Sequence, residues 1–309
     1  MNIMMKNSKL LLLFIVACTI FSCSAPKKIA KTPTSTKDKD TVAVVPPEKP
    51  STRPEEVKPT EKAAEPKIVL QPDIPIEMEL VNIPGGTFMM GHKEANPYYY
   101  ERPKNVTVKA FRISKTEITN AQYCKFLNEK KVNASGFLGD IKLIDAKDRF
   151  LQIEFVANKW SAKVGYENYP MILVTWYGAD EYCKWAGGRL PTSAEWEYAA
   201  IGGKTGQVLY PGSDNILDVA WFVNNSKQDT HKVGQKKPNG YGLFDMSGNV
   251  EEWCSDWFVP QEGGRDYTQT YKLAKGGSWA SNIYYCQVWH HDMYQPTSCT
   301  FTLGFRLVM

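Results

Sequence analysis

The sequence predicts an α+β fold class, loop-rich, with few short helices and strands. Three observations lead there. Residues 76–309 hold the chain's nine Trp among frequent glycines, three short segments read as capped helices, and brief strand candidates stand between them on long connections. Trp is large and its indole N–H needs a partner, so nine of them imply a core of irregular elements rich in side-chain hydrogen bonds. No internal repeat is found, and periodicity alone gives one mixed domain.

The chain opens differently. Met1 to Lys9 carries two lysines and no acid, and Leu10 to Phe21 is apolar. A run of about a dozen residues is too short to span a bilayer and suits a signal-peptide core. It ends at Ile20-Phe21-Ser22-Cys23, which looks like a bacterial lipobox, so residues 1–22 are expected to be a lipoprotein signal peptide and Cys23 the acylated residue. Ile15-Val16-Ala17-Cys18 is a rival box that would shorten the apolar core, and a secretory signal without lipid is the alternative. The expected location is the cell envelope, lipid-anchored to a bacterial membrane, the outer one by preference.

Residues 23–75 are expected to form a disordered tether. Ser24 to Pro75 holds ten of the nineteen prolines and no aromatic residue, so it cannot bury enough apolar surface to offset its ordering entropy. Its ten basic residues nearly balance eight acids, which argues against a nucleic-acid arm. A coil of 52 residues reaches roughly 40 Å and would hold the domain off a membrane surface.

The domain, residues 76–309, begins with strand candidates at Thr87 to Met90 and Val106 to Ile113. Thr119-Asn120-Ala121-Gln122 has the form of a capping box, after which Tyr123, Phe126 and Leu127 share a helical face. Ile172 to Val174 is a further strand candidate. A second helix is expected from Trp176 to Ala186, with Ala179, Tyr182, Cys183 and Ala186 on one face and Gly187-Gly188 as the stop. A third starts at Thr192, has Glu195 three residues on, and turns Trp196 and Ala199 or Ala200 inward.

Five blocks in this order resemble the formylglycine-generating enzymes, the sulfatase-modifying factor family. They are Ile83-Pro84-Gly85-Gly86-Thr87-Phe88-Met89-Met90-Gly91, Glu117-Ile118-Thr119-Asn120-Ala121-Gln122-Tyr123, Arg189-Leu190-Pro191-Thr192 through Ala200, Pro238-Asn239-Gly240-Tyr241-Gly242 through Trp253, and Gly276-Gly277-Ser278-Trp279 to Gly304-Phe305-Arg306. The resemblance implies a formylglycine-generating-enzyme fold, a C-type lectin variant with little regular structure. Arg189 beside a glycine pair reads as a cross-link between loops through its planar guanidinium, a structural role preferred over a substrate role.

By resemblance, two cysteines five residues apart would bind copper(I) and activate oxygen. Here those positions are Ser281 and Cys286. Copper(I) is soft and is held by sulfur, and a serine hydroxyl is a hard ligand, so copper is not expected and no catalytic residue is assigned. If the chain were active, Cys286 would carry the chemistry with Ser281 at the lost thiol position. Five cysteines remain after the signal region, Cys124, Cys183, Cys254, Cys286 and Cys299; their pairing is open, and a Cys286–Cys299 disulfide or a buried free Cys286 both fit. Cys286, His290, His291 and Asp292 could suggest a metal cluster, but such groups in a Tyr- and Trp-rich segment are more often packing and hydrogen-bonding groups. Four histidines in all and no added helical domain argue against the relatives that form sulfur–carbon bonds with non-haem iron.

Asp245-Met246-Ser247-Gly248-Asn249-Val250-Glu251-Glu252 matches a family calcium loop. The resemblance implies a structural calcium with carboxylate oxygens from Asp245 and Glu252 and carbonyls from Gly248 and Val250, a sensible start to an oxygen shell; an Asx-type turn with solvated acids is the alternative. Ala220 stands where the family's other calcium site needs Asn, and Glu251 stands where the family has Trp, which would add an acid beside the ion. The expected role is a membrane-anchored binding or structural component, with a protein or glycan partner and no nucleic acid, similar in layout to lipoproteins of gliding and type IX secretion assemblies in Bacteroidota. The alternative is an oxidase acting on sulfatase Cys or Ser.

Overall fold

Threonine side chains set where the helices begin. In the computed structural model, which describes residues 77–93, 103–206, 208–259 and 269–309, Thr119 caps α1 (Asn120–Glu129), Thr175 caps α2 (Trp176–Trp185) and Thr192 caps α3 (Ser193–Ile201). The capping boxes expected at Thr119/Gln122 and Thr192/Glu195 are both formed, each satisfying amide groups a helix start leaves open. The α3 helix stops at Gly202, whose φ of 63° is the left-handed turn that glycine adopts without strain. A fourth helix, α4 (Ile216–Val219), is a single turn. The expected signal peptide, Cys18, Cys23 and tether lie outside the described residues.

The strands are short and form several small sheets. β1 (Leu80–Ile83) pairs antiparallel with β4 (Phe111–Ser114), and β2 (Gly86–Met90) with β3 (Lys104–Val108). Two hairpins follow, β5 (Phe137–Leu138) with β6 (Ile141–Lys142) and β7 (Ile153–Val156) with β8 (Lys159–Ala162). β9 (Glu251–Trp257), β10 (Lys272–Lys275), β11 (His291–Tyr294) and β12 (Leu303–Gly304) make a four-stranded sheet in the order β11-β10-β9-β12, in which β12 runs parallel to β9.

Two strand expectations are corrected. The run Val106 to Ile113 is not one strand: it breaks at Lys109–Ala110 because β3 and β4 pair with different partners, β2 and β1. Ile172 to Val174 is buried but is not a strand. Leu173 has φ 57°, and its backbone bonds two separate segments, Leu173 N to Thr300 O at 3.0 Å and Asp145 N to Leu173 O at 3.0 Å. Apolarity there marks depth, not extension.

The expected inward faces of the three helices are buried. Tyr123, Phe126 and Leu127 of α1 and Ala179, Tyr182 and Cys183 of α2 are buried in the larger core cluster with Trp253, Phe305 and Leu307. Trp196, Ala199 and Ala200 of α3 sit in a second cluster with Met246 and Cys254. Three buried indoles find acceptors, as size and polarity demand: Trp253 Nε1 donates to Val174 O, Trp160 Nε1 to Val132 O and Trp196 Nε1 to Glu252 Oε2. The closing segment ties the clusters together, since Ser114 N donates to Leu307 O, Ile118 N to Phe305 O, and Arg189 N to Val308 O. That stitching leaves Arg306 fully buried.

Candidate functional site

Ser281 lies in a tight turn that its own side chain helps to close. Gly276 and Gly277 have φ of 96° and 64°, which only glycine takes readily, and Gly277 also lacks room for a Cβ, which would stand 3.0 Å from Cys286 Sγ. Ser278 N donates to Ser281 Oγ at 3.0 Å, the two hydroxyls are 3.1 Å apart, and Ser281 N donates to Ser278 O at 3.0 Å. The hydroxyl is therefore engaged in turn structure.

Cys286 is fully buried among Tyr210, Val219, Ala220 and Phe222. Burial pushes its thiol up to about 12, the nearby Glu251 adds to the rise, and the Gly248 amide opposes it. At neutral pH it is a thiol and not the thiolate that binds metals or attacks electrophiles. Cys299 lies elsewhere, half-buried beside Lys142, Asp145 and Asp148, and all five cysteines of the domain are free. The disulfide option for Cys286 and Cys299 is thus corrected to a buried free Cys286. Copper(I) needs two thiolates, and this donor set of one buried thiol and an engaged hydroxyl does not fit it.

His290 and Asp292 meet at 3.3 Å through Nε2 and Oδ2, and the His290 ring stands edge-on to Tyr285 with centroids 4.7 Å apart. Among the described residues no three His, Cys, Asp or Glu side chains converge as a metal site. Glu251 does not add an acid to Glu252's surroundings. Neighbouring residues of a strand face opposite sides, and Glu251 accepts Tyr294 Oη at 2.6 Å while burial, reinforced by Asp292, pushes its carboxyl up to about 8.

Glu252 faces the centre, with relative exposure of 0% for it and for Arg306. Arg306 Nε donates to its Oε2 at 2.6 Å and Nη2 to its Oε1 at 2.7 Å, and Trp196 Nε1 donates to Oε2 at 2.6 Å. Bidentate guanidinium pairing of this kind is strong and directional. Asp245, with φ 56°, is also buried; its Oδ2 accepts Gly234 N at 2.6 Å, whereas its Oδ1 has no hydrogen-bond partner among the described residues. Glu117 reaches the same region, accepting from Asn249 Nδ2 at 3.2 Å and Val250 N at 3.4 Å. Burial raises both carboxyls, Asp245 to about 6; neighbouring carboxylates add to the rise and Arg306 opposes it.

Of the four residues assigned to calcium by resemblance, Asp245, Gly248, Val250 and Glu252, the structure brings the loop together but commits Glu252 to Arg306 and Trp196. The orphaned Asp245 Oδ1 and the weakly held Glu117 carboxylate are hard oxygen donors and fit a calcium-class ion; Glu252 does not. Sequence reading missed Glu117 and Arg306 as partners of this loop. Both stand in recognisable blocks, but nothing local tells that a residue 132 positions before Asn249 returns to it. Arg189 pairs with Glu195 at 2.6 and 2.7 Å beside the start of α3, a structural role as expected.

The family described as "Sulfatase-modifying factor enzyme 1-like domain" matches residues 69–309. The formylglycine-generating enzyme of Streptomyces coelicolor is 31% identical over 279 residues, covering 73% of this chain and 87% of that protein. "Chaperone protein LppX" of Paenibacillus barcinonensis is 31% identical over 261 residues, covering 74% and 89%. A "Serine/threonine-protein kinase pkn1" of Chlamydia caviae is 33% identical over 246 residues, 75% of this chain but 38% of the kinase, so the chain spans well under half of that relative. Among solved structures, "Treponema denticola variable protein 1" superposes with TM-score 0.58 at 25% identity, over 76% of this chain and 96% of that one. With the ordered blocks, the loop-rich α+β architecture and a match over most of its length, the chain belongs to the sulfatase-modifying factor family of formylglycine-generating enzymes and has their fold.

Proposed function

We propose that this chain is a non-oxidising member of the family, a lipid-tethered envelope component whose domain binds another protein. The observation that carries this reading is the pair of thiol positions. Ser281 spends its hydroxyl on a turn, and Cys286 is buried with its thiol pushed up to about 12. The copper route of an oxidase acting on sulfatase Cys or Ser needs two thiolates, so this arrangement weighs against that alternative.

A binding role is supported by what surrounds the turn. Val223, Ile283, Tyr284 and Tyr285 are 47%, 49%, 39% and 39% exposed, and Val223 N donates to Ser281 O at 3.0 Å, which sets Val223 beside the turn that leads into the other three. Aliphatic and tyrosine side chains around one turn suit a protein partner more than a glycan, since Tyr presents contact area at low entropic cost and apolar patches mark interaction sites. The relative named as a chaperone, matched along 89% of its length, is consistent with protein binding by this fold. A lipid at Cys23 and a tether to residue 75 would hold the domain at a membrane, in the manner of a gliding or type IX secretion-like assembly.

Two measurements test the proposal. Purified protein exposed to copper(I) and a cysteine-containing sulfatase peptide is expected to leave the peptide unmodified by mass spectrometry; oxygen-dependent loss of its thiol overturns the reading. A photo-crosslinker at Val223 or Tyr284 in native membranes is expected to capture a defined protein band, and capture of a glycan alone would overturn the partner class.

A further inference from the structure

Two hollows meet on the outer face of α1. One, of ≈ 640 Å³, is lined in part by Glu77, Met78 and Ile118; the other, of ≈ 480 Å³, by Cys124, Trp160 and Ala162. Ala121 and Lys125 border both, so the two form one track past the helix. Its floor is apolar, since Ile118, Cys124 and Trp160 are all buried. Ala121, small and exposed, keeps the middle of the track open.

The described part of the chain enters the domain at this track. Gln122 Nε2 donates to Glu77 O at 3.1 Å and Lys115 N to Glu79 O at 2.9 Å, while Met78 packs against the larger core cluster. What precedes Glu77 in the sequence suits the same surface. Residues 69–76 read Val69-Leu70-Gln71-Pro72-Asp73-Ile74-Pro75-Ile76, and four of these eight are Val, Leu or Ile, against six of the forty-five in residues 24–68. The family match begins at residue 69, which sets these eight with the domain and not with the tether. Pro72 and Pro75 fix their own φ and bias the residue before each toward extended backbone. Little freedom is then lost when such a segment docks.

We infer that the track is a docking surface for this chain's own residues 69–76, which pack back along the outer face of α1. In an extended segment Ile74 and Ile76 fall on one side and Asp73 on the other. The isoleucines meet the apolar floor, and Asp73, the one acid of the segment, meets exposed Lys125 where the hollows join. Burial of the isoleucines is the larger effect and the exposed ion pair the smaller. Eight residues at about 3.1 Å each exceed the length of α1, which at ten residues is ~15 Å, so the segment covers both hollows. The tether then begins at residue 68 and leaves the domain beside α1. The inference is independent of the reading of Ser281 and Cys286.

The test uses the full chain purified in detergent, with the photo-crosslinker benzoylphenylalanine in place of Ala121. Irradiation is expected to join it to residues 69–76 of the same chain, read by peptide mass spectrometry at monomer mass. Ile74→Asp combined with Ile76→Asp should cut that yield about tenfold or more in a chain whose circular dichroism is unchanged. Val57→Asp, within the tether, should leave the yield as it was. Should the altered chains fail to fold, the unaltered one reads the same point, because carbodiimide is expected to couple Asp73 to Lys125 within one molecule. Cross-links from position 121 to a second copy, to another protein in native membranes or to no residue at all would overturn the inference. So would a full yield in the double variant, or absence of the Asp73–Lys125 coupling.

Discussion

Arg306 grips Glu252 at two points, Nε to Oε2 at 2.6 Å and Nη2 to Oε1 at 2.7 Å, in a place where neither side chain has exposed surface. The guanidinium also donates to Ser114 O at 3.1 Å and Phe244 O at 2.9 Å. It therefore joins the β4 end, the Asp245 loop, the β9 strand and the closing segment. Removing one partner of a buried pair strands the other's charge, which costs far more than the pair contributes over apolar residues. Arg306→Met should destabilise the domain by about 3–5 kcal/mol. Denaturant midpoints at constant slope measure it, and the double variant with Glu252→Met should recover part of the loss. A single-variant cost under ~1 kcal/mol would show that the pair is not central.

Gly277→Ala tests the turn that carries Ser281. The residue has φ 64° and its Cβ would stand 2.8 Å from Tyr285 O and 3.0 Å from Cys286 Sγ. Left-handed strain and a backbone clash together should cost about 1–3 kcal/mol. Thermal unfolding reads the loss. Gly139→Ala is the comparison, since it also has φ 58° but meets nothing within 4 Å; equal losses at both positions would show that crowding at Cys286 has no part.

How much of this could be read beforehand depends on range. Thr119 and Thr192 announced their helices because a cap acts within three residues, and Gly202 ends α3 by a backbone property of its own. Val106 to Ile113 misled because two adjacent strands with different partners look like one long apolar alternation. Ser281 and Cys286 were legible as positions; the hydroxyl is engaged locally by Ser278, whereas the burial of the thiol comes from packing by Tyr210 and Phe222. Glu117 and Arg306 were invisible as a pair of electrostatic partners for the Asp245 loop, since the contacts that define them join residues far apart in the chain.

Cys286 should resist alkylation. Its thiol is pushed up to about 12 by burial, so roughly one molecule in ten thousand carries the thiolate at pH 8, before access is considered. Iodoacetamide at pH 8 should label Cys299, which is half-buried, well before Cys286, with peptide mass spectrometry as the readout. Preferential labelling of Cys286 would contradict its burial and reopen thiolate chemistry.

Lipid anchoring through Cys23 has a direct check. Cys23→Ala should move the chain from the membrane to the soluble fraction after cell lysis and high-salt washing, because a diacylated cysteine contributes anchoring that a polar tether cannot replace. Unchanged fractionation would shift the anchor to Cys18 or exclude lipid.

Glu251 gives the pH dependence its sign. Burial, with Asp292 adding to it, pushes its carboxyl from an ordinary 4.5 to about 8 in the folded chain, so between those values the folded state holds a proton that the unfolded state has released. Its contribution to stability is full below about pH 4.5 and is lost as pH rises through about 8, with a slope of at most ~1.4 kcal/mol per pH unit from this group. Asp245, pushed up to about 6, acts in the same direction over a lower window. The domain should therefore unfold at progressively lower temperature from pH 5 to pH 8. Glu251→Gln keeps an acceptor for Tyr294 Oη, which now meets the carboxylate at 2.6 Å, and has no proton to lose. It should flatten the decline above about pH 7, where Asp245 has largely titrated. A variant as pH-sensitive as the wild type in that range would show that Glu251 is ionised in the folded chain and that burial and Asp292 do not hold its proton.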